Sequence, residues 1–277
     1  MLKLNVILMG LFNPQAGISY LLRKLPITSF VFRLRVELNG INRPFYAFSL
    51  LHAAQEAEKL GIKRVSAIEF GVAAGGGLLA LEQIAQQVTK LTRVKIDIYG
   101  FDLGDGLPKP KDYRDLSFIW KDGFYKMDKK ILKEKIKKNT TLILGDVGET
   151  VPKFIKRADI APIGFVSFDL DYYSSTAKAF KIFDIADEKL LPRTYCYFDD
   201  LVGDDEEIYS QYTGELLAIR EFNKRSKHKK LDVISGLAHK RVIKNTWWYD
   251  EIYILHVFNH KKYNKYIYSQ EDRSLMT

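Results

Sequence analysis

A single cysteine, Cys196, serves a chain of 277 residues, so no intrachain disulfide can form, which fits a reducing, cytoplasmic compartment. Nothing around it in "TYCYFDD" would lower its pKa, and a catalytic thiol is not expected. The five histidines are scattered and make no zinc spacing with that cysteine. Long apolar runs are missing as well. The N-terminal "MLKLNVILMGLF" is too short to span a bilayer, and no small-residue cleavage site follows it closely. It reads as a terminal helix or strand packed on the domain, with no stable membrane span; a signal peptide or membrane-surface segment is the lesser alternative. Repeats, low-complexity tracts and Pro/Gly-rich linkers are absent, which predicts one compact domain with an N-terminal extension over residues 1–62.

What is present is a core-forming composition, 47% hydrophobic and 28% charged, with a formal net charge of +9. That excess attracts anions in general. One cluster of its lysines, however, lies in "KMDKKILKEKIKKN", where Ile131, Leu132 and Ile136 recur at helical spacing and leave the lysines on a polar face. The second basic run, "KRSKHKK", has no interleaved aromatic, so a nucleic-acid partner is not expected.

From Lys63 onward, strand and helix signals alternate. "RVSAIEFG", "VKIDIYGFD", "TTLILGD", "IGFVSFDLD" and "TYCYFDD" read as strands separated by amphipathic helices, and "KLDVIS" and "EIYILHVF" as closing strands. Before them, "FYAFSLLHAAQEAEKLG" reads as a helix ending at Gly61. This order predicts an α/β fold of βαβ units, a mostly parallel sheet with helices on both faces.

Chemistry gathers at the strand ends. "IEFGVAAGGG" follows the first strand and opens a helix, where a nucleotide-binding turn belongs. It lacks the dinucleotide glycine pattern, since Ala73 stands two after Gly71, which disfavours a Rossmann dehydrogenase. It also lacks the Lys-Ser/Thr pair of a P-loop. Glu69 precedes Gly71, and Gly75, Gly76 and Gly77 follow. An acid beside close-approach glycines favours a cationic, hydroxyl-bearing ligand over a pyrophosphate. S-adenosylmethionine has those properties, although the glycines alone also suit a tight strand-to-helix turn. Asp102, ending the second strand, can accept from ribose hydroxyls. Asp146, after the third, can meet an adenine amino group or cap the next helix.

Two strands end in paired acids: Asp169 and Asp171 in "FDLD", and Asp199 and Asp200 in "FDD". If those strands are neighbours, the acids converge, and a hard divalent cation such as Mg²⁺ is the simplest way to reconcile their charge. Capping and surface pairing explain one acid per strand, not two.

These residues resemble the class I S-adenosylmethionine-dependent methyltransferases. They are closest to the metal-dependent sugar O-methyltransferases of the macrocin and mycinamicin family. "EFGVAAGG", "DLGDGLP", "DLDYYSST" and "FDD" are similar to four ordered motifs of that family, and the resemblance runs from about Ser66 to Phe222. It implies a seven-stranded Rossmann-like methyltransferase domain over 63–277. It further implies cofactor contacts at Glu69, Gly71 and Asp102, which join the candidates Gly75, Gly76 and Asp146 read above, although Asp146 stands where the family has a large apolar residue; and it implies metal ligands at Asp169, Asp199 and Asp200, and a general base at Asp171. The implied reaction is Mg²⁺-assisted methylation of a hydroxyl on a small acceptor such as a sugar. A phenol or lipid-linked glycan as acceptor remains open, as does a homo-oligomeric state. Trp247, Trp248 and Tyr249 are candidates for an aromatic acceptor wall. A non-catalytic nucleotide- or RNA-binding module is the competing class, and it has no use for the four acids.

Overall fold

The computed structural model describes residues 22, 24–244 and 246–268; the N-terminal run of residues 1–12 lies outside them. Seven strands form one sheet: β1 (Arg64–Phe70), β2 (Lys95–Asp102), β3 (Thr140–Leu144), β4 (Ile163–Phe168), β5 (Leu190–Phe198), β6 (Lys229–Val233) and β7 (Ile252–Val257). Their spatial order is β3-β2-β1-β4-β5-β7-β6.

The four ladders joining β3, β2, β1, β4 and β5 are parallel, whereas β5–β7 and β6–β7 are antiparallel. The sheet is therefore mixed, which corrects the expectation of a mostly parallel one. The physical reason lies in the last connection. Between β6 and β7 the described chain has only two short 3₁₀ turns, and without a crossover helix it returns beside β6 running the other way.

Helices α1 (Ser29–Glu37), α2 (Pro44–Lys59), α3 (Gly76–Thr92) and α4 (Lys129–Lys135) contribute to the core on one face. Helices α5 (Val147–Phe154), α6 (Tyr173–Ala179) and α7 (Gly214–Arg225) cover the other. The strand alternation supplies both cores: in β1, Val65 and Ala67 face the first, and Ile68 and Phe70 the second. Covered on both faces, β4 is buried along its whole length, hence its continuous "IGFVSF" run. Cys196 is fully buried on β5, and burial pushes its thiol pKa up, as an inert core thiol requires.

The segment before β1 is integral to this packing. Tyr46, Leu50, Ala53, Ala54 and Ala57 of α2 are fully buried against the sheet. Glu56 ties the helix to β5, accepting from Arg193 Nε at 3.0 Å. No described helix is long and apolar enough to cross a membrane.

At the carboxyl edge, three phenylalanines end β1, β4 and β5 in register: Phe70 opposite Phe168, and Phe168 opposite Phe198. Their rings stack at 5.3 Å and 4.8 Å between centroids. The ladder continues one residue further, with Asp169 N–H donating to Phe70 O and Asp199 N–H to Phe168 O, both at 3.0 Å. Gly71 sits against this edge with φ +84°, and a Cβ there would lie 1.7 Å from the Asp169 carbonyl oxygen. Only glycine fits. Gly71→Ala is accordingly expected to lower Tm by more than about 5 °C, from left-handed strain plus a clash with backbone. Gly76→Ala, where a Cβ meets nothing within 4 Å, should leave Tm unchanged or slightly higher. Thermal melts of the two variants check this.

Candidate active site

The strand ends open into a cavity of about 640 Å³, a size suited to a nucleoside-sized ligand with an acceptor beside it. Glu69, Gly71, Gly76, Asp102, Asp146, Asp169, Asp171, Asp199 and Asp200 all line it. Of the expected cofactor residues only Gly75 does not; it precedes α3 and faces the Leu132 side chain.

Glu69 forms the floor at the first turn and is 1% exposed. Its Oε1 accepts from the Tyr46 hydroxyl at 2.8 Å, and Tyr46 in turn accepts from Ser167 Oγ at 2.9 Å. Its Oε2 is buried with no partner. A Cβ at Gly77 would stand 1.9 Å from Oε1, so glycine there lets the first turn of α3 approach the carboxyl. Burial raises the Glu69 pKa to about 8, against the opposing pull of Tyr46 and Arg43.

Asp102 stitches the turn together. Its Oδ2 accepts from Val72 and Ala73 N–H at 2.8 and 2.9 Å, and its Oδ1 from Gly104 N–H at 2.5 Å. Each oxygen of a carboxylate has room for more than one donor, so Oδ1 keeps capacity toward the cavity. Asp146 behaves as a helix cap. It accepts from Gly148 N–H at 2.6 Å at the start of α5 and pairs with Lys178 Nζ at 2.6 Å. Burial opposes its ionisation, but Lys178 and the Gly148 amide outweigh that and hold its pKa below the usual carboxylate range.

The paired acids converge as strand neighbours. Asp200, 6% exposed, accepts from Asp171 N–H on Oδ2 at 2.8 Å and from the Tyr209 hydroxyl on Oδ1 at 3.2 Å. Asp199 Oδ1 accepts from the Tyr197 hydroxyl at 2.7 Å. Asp169 is held well above its ordinary pKa by burial and then by Asp199, Asp200 and Asp171, with Arg43 pulling the other way. Asp171 is raised to about 9 by burial, then by Asp200, Asp199 and Glu207, and Asp200 to about 7 by burial and Asp199. The donor set is all oxygen, which suits a hard cation. Among the described residues, however, no three acidic, His or Cys side chains are already grouped as a ligand set. The fit to a divalent ion is one of donor chemistry, not of a preformed cage.

Several lining groups had no sequence signal. Arg43 comes from the segment before β1, which also places Tyr46 in the core behind Glu69, and Glu207, Tyr209 and Glu251 come from beyond β5. Arg43, Ala73 and Asp171 line the cavity with left-handed backbones, φ +56°, +45° and +56°, a conformation that costs roughly 1–3 kcal/mol per residue and gathers at working sites. Of the expected aromatic wall, only Trp247 lines the cavity. Trp248 and Tyr249 are core residues, 4% and 5% exposed, stacked on each other, with Trp248 Nε1 donating to Asn39 Oδ1. That part of the expectation is corrected: their apolar area is worth more in the core than at a solvated wall.

Glu56, Glu69 and Glu251 have pKa values raised to about 7, 8 and 9, each mainly by burial. The folded protein therefore holds protons that the unfolded chain has released. Stability is full below the ordinary glutamate range and is lost as pH rises toward those values. Ligand-free protein should lose at least about 5 °C in Tm between pH 5.5 and 8.5. Glu251→Gln, which keeps an acceptor for the Tyr197 hydroxyl, should flatten the slope. A Tm that rises over that interval would contradict these assignments.

No family model matches this chain, and no curated protein matches it in sequence. Solved structures do. CalS11, a calicheamicin methyltransferase, superposes with a TM-score of 0.51 at 20% identity, over 87% of this chain and 90% of that one. The O-methyltransferase TomG from Streptomyces achromogenes, solved with SAM, gives 0.42 at 12% identity over 78% and 79%. MycE from the mycinamycin pathway, solved with Mg and SAH, gives 0.41 at 15% identity over 79% and 51%. The chain shares the fold of CalS11; here it is a seven-stranded sheet with helices on both faces.

Proposed function

We propose that this chain is an S-adenosylmethionine-dependent O-methyltransferase acting on a hydroxyl of a small-molecule acceptor of the sugar class. One observation carries the reading: a buried carboxyl with a free oxygen, Glu69, shares a cavity with a cluster of strand-end aspartates. A cationic cofactor and a hydroxyl acceptor use those two regions, and a pyrophosphate would be repelled by both.

S-adenosylmethionine supplies an electrophilic methyl carbon on a sulfonium. The chain's part is to align an acceptor oxygen with that carbon and to remove its proton as the new C–O bond forms and the C–S bond breaks. Glu69 and the Gly71 turn hold the cofactor's charged end, and Asp102 the ribose. Asp171 is assigned the proton. Burial and the neighbouring acids raise the pKa of its carboxyl, and positive charge entering the cavity would favour the ionised form that accepts the proton. Asp169, Asp199 and Asp200 are the residues that would hold Mg²⁺, which would lower the pKa of a bound hydroxyl. Tyr125, Tyr209 and Trp247 line the space left for the acceptor.

Calorimetry with S-adenosylhomocysteine and NAD⁺, with and without Mg²⁺, separates this reading from a dinucleotide enzyme. S-adenosylhomocysteine should bind and NAD⁺ should not; the reverse result rejects the proposal. With an acceptor found by screening hydroxylated sugars and catechols, Asp171→Asn should keep S-adenosylhomocysteine affinity within about twofold and lose at least about a hundredfold in kcat. Full turnover in that variant would remove Asp171 as base.

A further inference from the structure

The loop between β2 and α4, residues 103–128, supplies one wall of the cavity, where Leu107, Trp120 and Tyr125 all line it. A loop of this length places a side chain reproducibly only if it is anchored to the domain. Tyr125 has little anchorage of its own. It is 52% exposed with a left-handed backbone, φ +60°, and its ring lies 6.2 Å from those of Trp120 and Phe124, both of the same loop. Backbone bonds close the loop on itself: Leu107 N–H donates to Phe124 O at 2.8 Å, Gly123 N–H to Leu107 O at 2.9 Å and Trp120 N–H to Leu116 O at 3.1 Å. The position of the wall therefore depends on what fixes the middle of the loop, where a 3₁₀ turn, Tyr113–Asp115, meets the start of α6.

Asp115 makes that junction. It is 1% exposed and does not itself line the cavity. Its Oδ2 accepts from Lys111 N–H of the loop, and its Oδ1 from Ser174 N–H in the first turn of α6, both at 2.8 Å. Tyr172, at the head of α6, makes no side-chain capping bond, so this amide is satisfied from across the chain. Beside it, the Arg114 guanidinium lies 4.4 Å from the Tyr173 ring centroid. Both contacts grip "DYYSS", the segment that begins at Asp171 and ends at Ser175, a further lining residue.

We infer that Asp115 is a positioning residue for the acceptor: it ties the wall bearing Trp120 and Tyr125 to the turn that carries Asp171, and so sets the gap the acceptor must fit. The inference rests on the acceptor reading above and adds a residue that touches neither ligand. A carboxyl serves here because its two oxygens accept from two amides on separate segments at once. Its loss leaves both amides without that acceptor and frees the wall from the turn.

Hydrogen exchange on the full chain tests the tie without any acceptor. Asp115→Ala should speed exchange over residues 103–128 and at the Ser174 amide at least about tenfold, and leave the strands unchanged. Kinetics test the role. With an acceptor from the hydroxyl screen, the same variant should raise the acceptor KM at least about tenfold, more than kcat falls, and keep S-adenosylhomocysteine affinity within about twofold. Asp115→Asn keeps an oxygen for one amide but sets N–H groups against the other. It should fall between, and it carries the comparison if the Ala variant does not fold. Unchanged exchange or an unchanged KM overturns the inference. So does a KM rise matched by an equal loss of S-adenosylhomocysteine affinity, the mark of general loosening, or a loss confined to kcat. Each of these leaves the methyltransferase reading standing. Wild-type protein that methylates no member of the screen overturns both.

Discussion

The register of three strand ends is the constraint on which the site depends. Phe70, Phe168 and Phe198 stack across β1, β4 and β5, and each is followed by a residue of the site: Gly71, Asp169 and Asp199. Fully buried phenylalanines of this kind are worth about 3–5 kcal/mol each against truncation. The same period of two that sends these rings into one core turns the following residues away from it. A slip of one residue in either ladder would therefore bury an aspartate among phenylalanines and expose the rings, a cost that consumes a large part of a domain's stability. The apolar ladder and the acid cluster are two consequences of one alignment.

Around that edge the chain accepts unfavourable electrostatics. Glu69, Asp171, Asp200, Glu215 and Glu251 are all buried, and their pKa values are raised chiefly because charge is costly there. Hydroxyl donors offset part of the cost: Tyr46 to Glu69, Tyr197 to Asp199 and Glu251, Tyr209 to Asp200 and Thr176 to Glu215. Arg43 is the cation opposed to the cluster. Left-handed backbones at Arg43, Ala73 and Asp171 add strain in the same place. A structure that concentrates cost in one cavity, while its cores are well packed, is arranged for a ligand whose charge relieves it.

Much of this was legible in the sequence, and the reasons are local. Continuous apolar runs such as "IGFVSF" mark strands covered on both faces, and an acid or glycine directly after each run marks the ligand edge. Strand direction is not local: the pattern of "EIYILHVF" is the same whichever way it runs, so antiparallel β7 became visible only in its pairing with β5 and β6. Arg43 and Tyr46 were hidden for a similar reason, since nothing in "INRPFYAF" states which strand end its helix will meet. Asp146 was legible only as two alternatives, a ligand contact or a cap, and Gly148 with Lys178 supplies the contacts of the second. The tandem "WWY" suggested one wall, but three consecutive side chains pointed different ways, and Trp247 alone reached the cavity.

The central claim is that strand register brings a sulfonium pocket and an oxygen-donor cluster into one cavity. The most direct measurement is a crystal structure of the chain grown with S-adenosylhomocysteine and Mn²⁺, with the metal located by anomalous scattering. The expected result is a ligand seated on the Gly71 turn and a metal peak within about 2.3 Å of carboxylate oxygens from Asp169, Asp199 and Asp200. A ligand bound elsewhere, or an ordered cluster whose carboxylates turn away from one another with no metal between them, would contradict it.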